Sequence, residues 1–284
     1  MVLDTDTFNE IDDQFALTWM MLRQDRLQTE AIYAAPFHNA LSEGPEDGME
    51  KSYDEILRLL QRLGHDPDGF VFRGSRGYID APDAPRESDA AKDLIEKALA
   101  TPDGETLYVV AIGAITNVSS AILMEPKILE KITVVWLGGQ PHTHHTAREF
   151  NLKQDLHASR TIFDCGVPLV QIPCHGAASH LLTTLPEVNA CIRGKGPIGD
   201  YLAGIFEAVT RDKPAASRVI WDMSGIAWLL DAGWVPTHLV HSPILTDHFT
   251  WSRDPGRHWV RQAWFVRRDP IFADLFARLE ARSG

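Results

Sequence analysis

Apolar positions along the chain follow two alternating patterns. Short runs rich in β-branched and aliphatic residues predict strands at Val2 to Asp4, Ala31 to Ala35, Phe70 to Phe72, Leu107 to Ile112, Ile132 to Leu137 and Pro168 to Ile172. Between them, apolar residues recur every three or four positions, as along one face of a helix. Ile11, Phe15, Trp19 and Leu22 predict a helix directly after the first strand; Met49, Tyr53, Ile56, Leu57, Leu60 and Leu63 predict another, stopped by Gly64. Strands alternating with amphipathic segments are the pattern of βα units. The expected fold is therefore a single α/β domain over residues 1–284, a mostly parallel, doubly wound (Rossmann-like) sheet flanked by helices. Toward the C-terminus the pattern is less regular, with a helix from about Asp222 to Leu230, strand-like stretches at Leu239 to Leu245 and Trp259 to Val266, and an amphipathic helix from Pro270. Trp251, Trp259 and Trp264 are expected in the core or in subunit contacts. No linker, low-complexity stretch or internal repeat divides the chain.

Open α/β sheets bind ligands beyond the carboxyl ends of their strands, so the polar residues just after each strand carry the most information. Asp4, Asp6, Asp12 and Asp13 follow the first strand, Asn39 the second, the Gly113 turn the strand ending in Ile112, and the segment Gly138 to Asn151 the strand ending in Leu137. The densest cluster is LDTDTFNEIDDQFAL, Leu3 to Leu17, where five carboxylates crowd one strand-to-helix turn. Like charges so close require a cation or raised pKa values. Oxygen donors without thiols suit Ca²⁺ or Mg²⁺ better than zinc. A solvated acidic turn favoured by the helix dipole accounts for this segment alone about as well. An EF-hand starting at Asp4 is excluded, because Asn9 and Phe15 stand where glycine and glutamate are required. A phosphatase of the haloacid-dehalogenase type, with Asp4 as nucleophile, matches only in part, since Phe8 follows Thr7 and the downstream motifs are missing.

Composition narrows the partners. Asp plus Glu number 39 against 27 Lys plus Arg, a net charge of −12 that argues against nucleic acid as a ligand. No apolar run approaches the length of a membrane span and no signal-like segment opens the chain, so the expected location is the cytoplasm. Cys165, Cys174 and Cys191 are odd in number and lack a CxxC pair, which favours buried or incidental thiols.

Five segments in order, LDTD with DDQFAL, the Asn39 loop, AIGAITN at Ala111 to Asn117, REFN at Arg148 to Asn151 and WDMSGIA at Trp221 to Ala227, make the chain similar to the nucleoside hydrolase family. The resemblance is to the inosine-uridine preferring type. It implies hydrolysis of the N-glycosidic bond of ribonucleosides, with Ca²⁺ held by Asp6, Asp13, the backbone carbonyl of Ile112 and Asp222. It further implies Asp6 as the general base for the attacking water, and Asp12, Asn39, Glu149 and Asn151 as partners of the ribose hydroxyls. Trp221 stands where many relatives carry a leaving-group histidine; this resembles the purine-preferring branch, in which an aromatic ring stacks on the departing base, and implies purine preference and a place in purine salvage. A homodimer or homotetramer is implied as well.

Two departures from the family pattern stand out. The turn Thr7 to Ile11 is five residues, about two longer than usual, and Thr143 replaces an asparagine expected to contact the ribose. Together they leave open a protein of the same fold that binds nucleosides or sugars with impaired turnover. His142, His144 and His145, beside REFN, are candidates for contacts to the base or its leaving group, with His145 taken as a substrate contact. Arg73, Ser75 and Arg76 lie in a loop able to close over substrate or simply to be solvated, and Asn117 is expected to serve the turn after Ile112.

Overall fold

The chain was analysed as a computed structural model that describes residues 1–213 and 215–283. Twelve strands occur among the described residues: β1 (Val2–Thr5), β2 (Ala31–Ala34), β3 (Val71–Arg73), β4 (Leu107–Ala111), β5 (Ile132–Leu137), β6 (Leu169–Ile172), β7 (Leu182–Thr184), β8 (Ser217–Val219), β9 (Thr237–His241), β10 (Ile244–Leu245), β11 (Trp251–Ser252) and β12 (Trp259–Ala263). Eight of them form one sheet in the order β3-β2-β1-β4-β5-β6-β12-β9. All neighbours run parallel except β12 and β9, which are antiparallel. The pairs β7 with β8 and β10 with β11 make small antiparallel ribbons. This is the mostly parallel, helix-flanked α/β domain read from the sequence.

Helices cover both faces, so every residue of β1 and β2 is buried and the strand sequences need not alternate in polarity. Successive side chains still divide between faces: Leu3 packs with Phe15, Trp19, Ile56 and Ile226, and Val2 with Tyr33, Ile115, Trp136 and Phe163. The helix Asp12–Leu22 is buried from Asp12 to Met21, because the C-terminal helix Arg268–Ser283 closes over its far side. There Trp19 Nε1 donates to Asp274 at 2.8 Å and the buried Arg23 pairs with the same carboxylate at 2.6 Å. The helix Pro45–Leu63 starts on a proline, whose missing N–H costs nothing in a first turn, and ends at Gly64 with φ 65°, a left-handed cap that suits glycine.

Several expectations are corrected at the C-terminal end. The stretch Leu239 to Leu245 is two strands in different sheets, since Pro243 has no N–H with which to continue a ladder. The last helix begins at Arg268, with Pro270 in its first turn. Trp259 and Trp264 are 57% and 55% exposed and so are not core residues, whereas Trp251 packs against the second core layer. Among the described residues no helix is long and apolar enough to cross a membrane.

The order of strands decides where a ligand can sit. From β1 the chain winds outward through β2 and β3, and from β4 it winds the other way through β5 and β6. The carboxyl ends of β1 and β4 therefore flank the point where the winding reverses, the usual crevice of open α/β sheets.

Candidate active site

A cavity of about 250 Å³ opens at that reversal point. Its floor is built from the turns that follow four adjacent strands. Asp6, Asn9, Glu10, Asp12 and Asp13 come after β1, and Ile112 after β4. Leu137 ends β5, with Gln140, Glu149 and Asn151 beyond it, and Cys174 and His175 follow β6. Trp221 and Asp222 join them from the start of the helix Met223–Leu230.

The acidic residues converge as three ligand-competent carboxyls. One oxygen each of Asp12, Asp13 and Asp222 lie within 4.8 Å of one another, and all three residues are buried. Asp6 is beside them, with both carboxyl oxygens buried and without a hydrogen-bond partner among the described residues. It fits because residue 113 is glycine: a Cβ there would lie 3.0 Å from Asp6 Cγ and 3.1 Å from Oδ1. Burial first, then the charges of Asp13, Asp12 and Asp4, push the Asp6 carboxyl well above the carboxylate range. Burial raises Asp222 likewise, with Asp12, Asp13 and Asp6 adding to it. Asp12 is driven up by burial and by Asp13 and Glu10. Asp13 rises only to about 6, because the Thr5 hydroxyl donates to its Oδ1 at 2.5 Å. Asp222 faces Asp12 and Asp13 across this cluster, where a hard divalent cation would offset their charges. A buried, oxygen-only donor set with two orphaned oxygens fits Ca²⁺.

The remaining contacts hold the polar groups after β5. Glu149 accepts from the backbone N–H groups of Gly139 (2.8 Å), Asn151 (3.0 Å) and Leu152 (3.1 Å), which caps the short helix Phe150–Gln154 while leaving the residue in the cavity wall. Burial nonetheless raises its carboxyl, against the pull of those bonds. Asn151 donates through Nδ2 to the carbonyl of Ile112 at 3.1 Å and to that of Leu137 at 3.0 Å, tying the ends of β4 and β5 together.

Three expected contacts lie elsewhere. Asn39 does not line the cavity: its Nδ2 donates to Asn9 Oδ1 at 2.6 Å, so the lengthened turn interposes Asn9. That turn is also held by a bond between the Thr5 and Thr7 hydroxyls (2.9 Å) and by an ion pair of Glu10 with Arg218 of β8. Thr143 faces a second cavity, with His142, His238 and Trp259, because the loop after β5 turns outward at Pro141. His145 is exposed and reaches the cavity only indirectly, its ring 4.6 Å from that of His144, which in turn is 5.7 Å from His175.

Other residues change role. Asp4 is fully buried, accepts from Asn117 Nδ2 at 2.7 Å and is raised by burial to about 7; it is absent from the cavity wall, so the phosphatase reading with Asp4 as nucleophile loses its geometry. Asn117 is a clamp and not merely a turn residue: it also donates to the Ala34 carbonyl (3.2 Å) and accepts from the N–H and hydroxyl of Ser75 (2.8 and 2.9 Å). Ser75 is accordingly buried and cannot close over substrate, while Arg73 and Arg76 pair with Glu50 and Glu46. Cys174, expected to be a buried or incidental thiol, lines the cavity together with Glu149; burial first, then the charge of Glu149, push the thiol well above its usual range. Asn9, Glu10, Gln140, Cys174 and His175 were not anticipated as wall residues. For the last two, the position directly after a predicted strand was the available signal.

A family model described as inosine-uridine preferring nucleoside hydrolase matches residues 1–254. Among curated relatives, the putative pyrimidine-specific ribonucleoside hydrolase RihB of Shigella boydii is 30% identical over 159 residues, which is 53% of this chain and 64% of that protein. The pyrimidine-specific ribonucleoside hydrolase RihB of Escherichia coli K12 is 30% identical over the same length, 53% of this chain and 50% of that protein. The chain thus spans between about half and two-thirds of the length of these relatives. Solved structures match throughout: a purine-preferring ribonucleoside hydrolase from Gardnerella vaginalis has a TM-score of 0.75 at 18% identity, covering 99% of this chain and 98% of that one. An inosine-uridine preferring nucleoside hydrolase from Bacillus anthracis has 0.73 at 17% identity, covering 98% of each. At these identities the likeness establishes the fold.

Proposed function

Because the chain belongs to the inosine-uridine preferring nucleoside hydrolase family, we propose that it hydrolyses the N-glycosidic bond of ribonucleosides to ribose and free base, with Ca²⁺ held by Asp6, Asp13, Asp222 and the Ile112 carbonyl. The observation that carries this reading is the convergence of buried carboxyls from two distant segments at the reversal point of the sheet. When bound, Ca²⁺ would supply the positive charge that keeps these carboxyls ionised and would make water easier to deprotonate.

The chain's own residues do the rest. Asp6, with no competing hydrogen bond, accepts the proton of the attacking water. Asp12 and Asn151, both in the cavity wall, hold the ribose hydroxyls, and Glu149 stands at the same wall with its carboxylate fixed by three backbone amides. A ring of carboxylates favours the positive charge that develops on the sugar as the bond to the base lengthens. Asn39 acts one step removed, by orienting Asn9. Trp221 lines the cavity, where stacking of its ring on the base supports a purine preference.

Reducing-sugar release from inosine and uridine, each with and without chelator, tests the activity, the cation and the base preference together. Asp6→Asn is expected to lose turnover by about two to four orders of magnitude, the scale of a lost general base, with an unchanged circular dichroism spectrum. Wild-type turnover in that variant would remove Asp6 from the role.

A further inference from the structure

Cleavage of an N-glycosidic bond leaves an electron pair on the departing base, and a purine or pyrimidine anion is a poor leaving group unless a proton reaches it. The position immediately before Asp222 is Trp221, whose indole cannot provide one. Of the other proton-bearing side chains in the wall, Asp6, Asp12, Asp13 and Asp222 are already assigned to the cation, the water and the ribose, Glu149 is held by three backbone amides, Glu10 pairs with Arg218, and the Cys174 thiol is pushed well above its usual range by burial and by Glu149. His175 remains, and histidine is the residue type that both holds and releases a proton near neutral pH.

Its placement suits the task. His175 follows β6, three strands from β1, about 14 Å across the sheet at the usual ~4.8 Å spacing. The cavity wall draws on the turns after β5 and β6 and, among the described residues, on none after β2 or β3, so a nucleoside whose ribose lies over the carboxyls beyond β1 and β4 extends its base toward β6. The His175 backbone N–H is anchored on Gln140 Oε1 at 3.2 Å, whereas its ring makes no hydrogen bond among the described residues and has its ring centroid 5.7 Å from that of His144. His144 in turn keeps Nδ1 buried and without a partner, and its ring lies 4.6 Å from exposed His145. Three imidazoles thus stand side by side at the rim of the cavity, with His175 and His145 themselves exposed and His144 half-buried between them.

Building on the ribonucleoside hydrolase reading, we propose that His175 is the catalytic residue that protonates the departing base, with His144 packed behind it as the positioning residue. As the C1′–N bond breaks, both electrons go to the base and a ring N–H of His175 transfers its proton to a base nitrogen. The water oxygen bonds to C1′ and its proton passes to Asp6. Solvent then returns that proton from Asp6 to His175, and the net change is addition of one water.

The test compares inosine with 4-nitrophenyl riboside, whose phenolate leaves as a stable anion and needs no proton. In His175→Asn, kcat on inosine is expected to fall by about 10²–10⁴-fold, the usual contribution of a general acid, while turnover of the nitrophenyl riboside stays at the wild-type value and shows that the variant is folded. Equal losses on both substrates, or an unchanged rate on inosine, overturn the assignment. If the unaltered protein cleaves neither substrate in the presence of Ca²⁺, the hydrolase reading itself falls and the role of His175 with it.

Discussion

Replacing Asp222 with asparagine should stabilise the metal-free protein, and that advantage should vanish in excess Ca²⁺. In the metal-free protein, carboxyl oxygens of Asp12, Asp13 and Asp222 lie within 4.8 Å of one another. At about 5 Å and an effective dielectric of about 20, two ionised carboxylates repel by about 3 kcal/mol. Their folded-state pKa values are raised, Asp13 to about 6 and the others further. A raised carboxyl binds protons more tightly in the folded state, so the stability linked to it is present below the unfolded pKa of ~4 and is lost as pH rises through the folded value. At pH 8 the chelated wild type is therefore strained, and Asp222→Asn relieves part of that strain. For 284 residues, an unfolding entropy of about 2.1 cal/mol/K per residue gives about 0.6 kcal/mol/K, so about 3 kcal/mol corresponds to a rise in Tm of about 5 °C. Adding Ca²⁺ at 100 times its Kd should stabilise the wild type by about 2.7 kcal/mol, again about 4–5 °C, and leave the variant nearly unmoved. Differential scanning fluorimetry in EDTA and in excess Ca²⁺ reads all four melting points. A variant less stable than wild type in EDTA, or one that gains the full Ca²⁺ shift, would refute the assignment of Asp222 to the cation site.

Other outcomes follow from single contacts. Trp221→Ala should lower kcat/KM for inosine more than for 4-nitrophenyl riboside, and equal losses in a steady-state comparison would end the stacking proposal. Asn117→Ala leaves Asp4, the Ala34 carbonyl and the Ser75 N–H without their buried partner and should cost about 2–4 kcal/mol by urea unfolding; a loss under about 0.5 kcal/mol, the scale of an ordinary surface change, would show that water replaces it. His142, with Nε2 buried and unpartnered, is lowered by burial to about 4. The unfolded chain takes up that proton first, so stability should fall as pH drops from ~6.5 toward about 4. His142→Phe should flatten this part of a Tm-versus-pH curve, and an unchanged slope would assign the acid sensitivity elsewhere.

The legible parts of the fold were those where local pattern and final burial agree. Ile11, Phe15 and Trp19 share a helix face whatever covers it, and β1 to β6 are apolar because helices press on both sides of the sheet. Leu239 to Leu245 misled because apolar character runs through Pro243, where backbone hydrogen bonding must stop. In the site, the rule that ligands gather beyond strand ends found the aspartates after β1 and the groups after β5. Applied to β6 it also leads to Cys174 and His175. Asn39 and Thr143 could not be placed this way. The position of each depends on how a loop exits, and the two extra residues before Asp12 put Asn9 between Asn39 and the cavity.

The space against Gly113 has a consequence for how this protein can be disabled. The Asp6 side chain lies so close to residue 113 that a β-carbon there would force it to give way by a few tenths of an ångström. One added methyl, chemically inert and bearing no charge, would displace the oxygens on which proton abstraction is proposed to depend. Loss of turnover in a variant with every acidic and aromatic wall residue intact should therefore direct attention first to this alpha carbon.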